Sequence, residues 1–173
     1  LDPYAPCPCG SGKKLKFCCA DLTAEIEKID RLARGDQPHA ALRHVEQLLA
    51  KEPDRASLLD LRAMLELSLN EMAAAEQTLK HFLEKHPSNP SAHALAAMLA
   101  AEQGDSATAV ARLQDALECT GDAAPARVFE AIGAVGHALL LAGQFVAARA
   151  HLLLYAGMAP QGDNRAVELL LRL

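Results

Sequence analysis

Three alanines, Ala41, Ala75 and Ala109, recur at an interval of 34 residues, and Ala148 follows after 39. Each stands shortly after a pair of turn-forming residues: Gly35-Asp36, Asn70-Glu71, Gly104-Asp105 and Gly143-Gln144. Each is followed by a breaker at a matching place, namely Pro53, Pro87, Gly121 and Pro160. Between the breaks, apolar residues fall three and four apart, as in Leu42-Val45-Leu48-Leu49, Leu79-Phe82-Leu83 and Val110-Leu113-Leu117. That spacing marks one face of a helix. A small residue at a fixed place in every unit is what two closely crossing helices require, because a larger side chain would push them apart. Asn89 before Pro90 reads as a helix cap followed by a first-turn proline. Gly35-Asp36, Gly104-Asp105 and Gly162-Asp163 pair a helix-ending glycine with a helix-starting aspartate. Aromatic residues make up only 3% of the chain and tryptophan is absent, which argues against a β-rich fold and against base- or sugar-stacking sites. The expectation is an all-α chain of repeated helical hairpins, with an irregular Ala/Leu-rich helical bundle as the alternative.

A 34-residue helix–turn–helix unit with these positions resembles the tetratricopeptide repeat (TPR). The resemblance spans Leu22 to Pro160 as four repeats, with a fifth begun at Asp163. The third repeat, Ser91 to Gly121, fits best, with Ala97, Gly104, Ala109, Leu113, Ala116 and Leu117 at consensus-like places. The fourth fits after a five-residue insertion, and the first has a degenerate leading helix. The resemblance implies a right-handed helical-hairpin solenoid.

Cysteine use is uneven. Cys7, Cys9, Cys18 and Cys19 lie within thirteen residues, and Cys119 stands alone. A disulfide scaffold would close long loops, whereas any pairing inside this cluster closes a very short one. Four thiolates instead suit one tetrahedral Zn²⁺. A Cys-x-Cys pair presents two sulfurs, Gly10-Ser11-Gly12 turns the backbone, and Cys18 and Cys19 complete the set. All four positions would be filled, so the zinc is expected to be structural, one ion per chain, and to supply most of the folding free energy of the segment. Lys13, Lys14 and Lys16 are placed to offset the net negative charge of such a centre. A redox-active Cys-x-Cys pair, or four metal-free thiols, is the alternative reading of these residues. A phosphate loop is not, because Lys14 stands where a hydroxyl residue is needed.

The run from Pro6 to Cys19 resembles the SEC-C motif, the short zinc-binding module associated with the C-terminal tail of the SecA translocation ATPase. Cys-x-Cys, Gly-Ser-Gly-Lys-Lys and the closing cysteine pair agree in identity and spacing, with Cys19 in place of the histidine of the SecA tail. The resemblance implies zinc ligation by Cys7, Cys9, Cys18 and Cys19. The domain division expected is a SEC-C-like module over residues 1–21 and a TPR-like domain over residues 22–173, the module forming an energetically separable knob.

TPR arrays bind peptides or helices on a concave face built from the first helix of each hairpin. The register puts Asp60, Met64 and Leu67 there from the second repeat and Ala94, Met98 and Ala101 from the third, with Gly133, His137 and Leu140 from the fourth. The set lacks the lysine, asparagine and arginine that clamp a terminal carboxylate, and its methionines suit an adaptable apolar helix. Packing on downstream repeats of the same protein is the competing use. The seven histidines form no His-x₃-His pair, Cys119 reads as a packing residue, and acids such as Glu25, Glu27, Glu46 and Glu52 read as a solvated face.

The net charge is −5, with the first twenty residues at +2 and the rest at −7, which speaks against nucleic-acid binding by the body. No stretch approaches the roughly 20 apolar residues of a membrane helix. The chain begins with leucine and ends on an uncovered apolar helix, Val167 to Leu173, so it is expected to be the N-terminal part of a longer protein. The expected role is non-catalytic and cytoplasmic: protein–protein interaction through the zinc module and the groove, without membrane or nucleic-acid partners. An accessory region of a larger enzyme, or ribosome or nucleic-acid docking through the basic module, is the alternative.

Overall fold

The structure, a computed structural model, describes residues 2–121, 124–158 and 164–173. Among these residues the regular elements are helices: two short 3₁₀ turns at Leu15–Phe17 and Ala20–Leu22, then nine α-helices. They are α1 (Thr23–Arg34), α2 (Pro38–Leu49), α3 (Ala56–Ser68), α4 (Met72–Lys85), α5 (Pro90–Glu102), α6 (Ser106–Glu118), α7 (Ala126–Leu141), α8 (Phe145–Met158) and α9 (Arg165–Leu170). None is long and apolar enough to cross a membrane.

The helices pair as hairpins α1/α2, α3/α4, α5/α6 and α7/α8, and α9 packs on α8. The turn inside each hairpin contains one residue at positive φ: Asp36 (55°), Asn70 (60°), Gly104 (75°) and Gly143 (72°). These four positions repeat the spacing of the alanines, so the hairpin geometry is set by the same register. In the first hairpin the left-handed residue is Asp36 rather than Gly35; Asp is among the few residues other than Gly that visit that region. Ala41, Ala75, Ala109 and Ala148 are all 0% exposed, as the close-crossing reading requires. The extra length of the fourth repeat is partly taken up by α7, which has 16 residues where α5 has 13. Pro160, Gly162 and Asp163, and with them the start of the fifth repeat, lie outside the described residues.

Two caps follow the sequence expectation. Asn89 accepts from the backbone N–H groups of Ser91 and Ala92, and Asp105 from that of Thr108. Each satisfies helix donors that have no partner within the helix.

The core falls into two clusters. One joins the N-terminal module to α1–α5 and holds Leu15, Leu22, Ile29, Val45, Leu58, Leu79, Phe82 and Leu95. The other joins α5–α9 around Leu113, Val128, Ile132, Leu139 and Tyr155, and Met98 packs on both. At the far end, Leu141, Phe145, Val146, Leu153 and Leu154 remain exposed on α7 and α8.

The candidate metal centre

The N-terminal segment is held by backbone bonds that fold it back on itself. Cys7 N–H donates to the Lys13 carbonyl (2.7 Å), Leu15 N–H to Ala5 (3.0 Å), and Cys18 and Cys19 N–H both to Leu15 (3.1 and 3.0 Å). Gly10 and Gly12 sit at φ +76° and +70°, the left-handed backbone that lets the loop reverse between the two cysteine pairs. The result brings Cys7, Cys9, Cys18 and Cys19 together, with all four sulfurs within 4.8 Å of one another.

The spacing distinguishes a metal site from a disulfide. Cys9 and Cys18 Sγ lie 3.5 Å apart, and Cys18 and Cys19 Sγ 3.7 Å. A tetrahedral ion at a metal–sulfur distance of about 2.3 Å would set its ligands about 3.8 Å apart. A disulfide would need about 2 Å, and all five cysteines are free. The donor set therefore fits one tetrahedral, thiophilic ion with no position left for water or substrate. Cys7, Cys9 and Cys19 are buried, and Cys18 is half-buried with the Ser11 hydroxyl 3.2 Å from its sulfur.

The electrostatics favour a thiolate here. A hydrogen bond from Cys9 pulls the Cys19 thiol down to about 5 against the effect of burial, with the Ser57 hydroxyl adding to the shift. Burial pushes Cys7 up to about 11, and hydrogen bonding to Cys19, followed by burial, pushes Cys9 up as well. Negative charge is thus favoured at Cys19 and opposed at Cys7 and Cys9, and a cation that displaces their protons relieves the competition.

Three residues from the helical body reach this segment, and none was visible as a site residue in the sequence. The Arg55 guanidinium, just ahead of α3, donates to the Cys18 carbonyl (3.3 Å), to Asp21 (2.6 Å) and to Glu52 (3.1 Å). Burial opposes the Arg55 charge, but Asp21, Cys19 and Glu52 outweigh it and raise its pKa. Ser57, in the first turn of α3, is buried with no conventional hydrogen-bond partner for its hydroxyl. Asn89, the cap of α5, donates its Nδ2–H to the Cys9 carbonyl at 2.7 Å. Lys14 and Lys16, expected to balance the thiolates, lie over the Tyr4 ring (5.8 and 3.8 Å), and Lys16 also over Phe17 (4.6 Å).

The groove residues are dispersed in environment. Met64, Leu67, Met98 and Leu140 are half-buried and pack against the core, and His137 is exposed. Asp60 is only 3% exposed and pairs with Arg127 of α7 at 3.4 Å, so its carboxylate is engaged inside the fold rather than offered to a partner. Burial raises its pKa, and Arg127 offsets part of that. Gly133 also departs from the expected register, since a Cβ there would meet the Tyr155 ring of α8 at 3.2 Å. It lies inside its own hairpin, where the missing side chain admits an aromatic ring. The histidines serve local contacts: His44 with Glu25, His81 with Asp54, His93 with the Pro87 carbonyl and His151 with that of Ala147.

Among curated proteins, none matches this chain. Protein-family models do match: the SEC-C motif over residues 5–21 and the tetratricopeptide repeat over residues 30–100. The first match takes in the whole cysteine cluster, and the second runs from α1 into α5, whose hairpin geometry then continues through α8. The chain carries a SEC-C motif followed by tetratricopeptide repeats.

Proposed function

We propose that this protein is a non-catalytic interaction scaffold, with one structural zinc held by Cys7, Cys9, Cys18 and Cys19. Its organisation is a metal module over residues 1–21 seated on a repeat domain over residues 22–173. The observation that carries the reading is the closed donor set: four sulfurs within 4.8 Å leave no coordination site for chemistry. Tetratricopeptide repeats are in general surfaces for binding other proteins.

Two faces are available to a protein partner. The module presents Tyr4 and Phe17, 62% and 71% exposed, with Lys14 and Lys16 stacked on their rings. Exposed aromatics beside lysines suit an acidic protein surface. The repeats present Met64, Leu67, Met98, His137 and Leu140, which suit an apolar helix.

Elemental analysis of purified protein tests the first half, with one zinc per chain expected and its loss in Cys9→Ser. For the second half, proteins captured by the intact chain are compared with those captured by Phe17→Ala/Lys16→Glu and by Met64→Glu/Leu140→Glu. A partner lost with one pair maps to that face. Capture unchanged by both pairs would refute the assignment of the surfaces.

A further inference from the structure

The metal module is not held together by its own residues alone. Its two ligand-bearing stretches each hand a backbone carbonyl to a side chain from the repeats: Cys9 to Asn89, eighty residues away, and Cys18 to Arg55, thirty-seven away. Asn89 spends both ends of its amide at this junction. Its Oδ1 caps α5 while its Nδ2 grips the module. Arg55 spans the Cys18 carbonyl and Asp21, which closes the segment after the last cysteine. Gly10, between the cysteine pairs, lies so close to Asn89 that a Cβ would come within 2.6 Å of its Oδ1.

We infer that Asn89 and Arg55 are positioning residues of the metal centre, so that the second and third repeats set its affinity for zinc and the bound zinc in turn stabilises those repeats. The inference rests on the cysteine cluster being a zinc site. Groups that orient metal ligands through hydrogen bonds behind them commonly change metal affinity by 10- to 100-fold when removed. Here they fix the carbonyls of two ligand residues, and with them the directions in which the Cys9 and Cys18 sulfurs point. Reciprocity follows from thermodynamic linkage: whatever docking adds to zinc affinity, zinc adds to docking.

Asn89 allows a clean test, because its two roles can be separated. Serine caps helices about as well as asparagine, but its hydroxyl is too short to reach the Cys9 carbonyl as well. The full chain and its Asn89→Ser, Arg55→Gln and Asp105→Ala variants are titrated with zinc in competition with a chelator, and their melting temperatures are recorded with and without the metal. Asp105 caps α6 at the opposite end of α5, about 20 Å away, and its loss weakens the fold without touching the module. The expected result is zinc affinity lowered about 10- to 100-fold in Asn89→Ser and Arg55→Gln, a smaller zinc-induced rise in melting temperature in both, and unchanged affinity in Asp105→Ala. Wild-type affinity in Asn89→Ser and Arg55→Gln would overturn the inference. An affinity loss in Asp105→Ala equal to theirs would also overturn it, since general weakening of the fold would then suffice. Failure of the wild-type chain to bind zinc at all would instead overturn the zinc centre itself.

Discussion

Replacing Gly10 and Gly12 by alanine, one at a time, measures how tightly the module is seated on the repeats. Both glycines hold nearly the same backbone, at φ +76° and +70°, so each substitution carries the same left-handed penalty of about 1–2 kcal/mol. Their surroundings differ completely. A Cβ at Gly12 meets nothing within 4 Å, whereas at Gly10 it would lie 2.6 Å from Asn89 Oδ1, 2.9 Å from Ser91 Oγ and 3.3 Å from Asn89 Cγ. Asn89 cannot move aside freely, because it holds Ser91 N–H at 2.9 Å, Ala92 N–H at 3.2 Å and the Cys9 carbonyl at 2.7 Å. Displacing it forfeits a helix cap of about 1 kcal/mol and a hydrogen bond of about the same size. Gly10→Ala should therefore cost about 2 kcal/mol more than Gly12→Ala. For a chain of this length that is a further fall of roughly 4–8 °C in melting temperature. Thermal melts of the two zinc-saturated variants, followed by circular dichroism, read the difference directly. Equal losses would mean that the methyl group finds room, and that the contact between Gly10 and Asn89 does not hold the module in place.

Three further outcomes follow from the packing. Ala75→Leu and Ala109→Leu, at fully buried hairpin crossings, should each cost about 1–3 kcal/mol, while Ala73→Leu on the exposed side of α4 should leave the melt almost unmoved; equal effects would dissolve the repeat register. Arg127→Met should cost about 3–5 kcal/mol by leaving the Asp60 carboxylate buried and unpaired. The folded pKa of Asp60 is already raised, so below it, and above the unfolded value, the folded chain binds the extra proton; stability of that variant should recover as pH falls through the raised folded pKa, and continued loss would refute the pairing. Chelation should disorder residues 2–21 and also lower the melting temperature of the helices, because Leu15 and Leu22 share one core with α1–α5; a helical melt indifferent to chelator would show that module and solenoid are energetically separate.

What the sequence revealed, and what it hid, divides by the range of the interaction. The crossing alanines, the turn residues and the caps at Asn89 and Asp105 are local signals, since each is fixed by neighbours within one or two helical turns. The cysteine cluster is nearly as local, its four sulfurs coming from thirteen residues. Asn89 shows the boundary within a single side chain. Its acceptor end, which bonds two and three residues on, was legible; its donor end, which bonds eighty residues back, was not. Arg55 and Ser57 were hidden for the same reason, and Asp60 was placed on an open groove because its partner Arg127 lies 67 residues further along. Gly133 was misplaced because a glycine carries no side chain from which a helical face can be read.

The repeat geometry explains why a short metal module should lodge where it does. Cys9, Cys18 and Cys19 border a cavity shared with Arg55, Ala56 and Ser57 at the start of α3 and with Pro87, Ser88 and Asn89 before α5. In a stack of hairpins the first helices run side by side, so their N-termini, each carrying a partial positive charge and unsatisfied N–H groups, collect along one edge. That edge is costly to bury against apolar groups. α3 lacks a side-chain cap altogether, and the Ser57 hydroxyl in its first turn bears on the Cys19 sulfur. Four thiolates around a divalent ion would carry a net charge of −2, which complements the uncapped start of α3 and the nearby Arg55 guanidinium. Arg55 and the uncapped start of α3 would thereby give such a centre positive surroundings. On this argument charge at the junction acts beside the apolar core that Leu15 and Leu22 share with α1–α5, and Arg55→Gln should weaken zinc binding more at low ionic strength than at high.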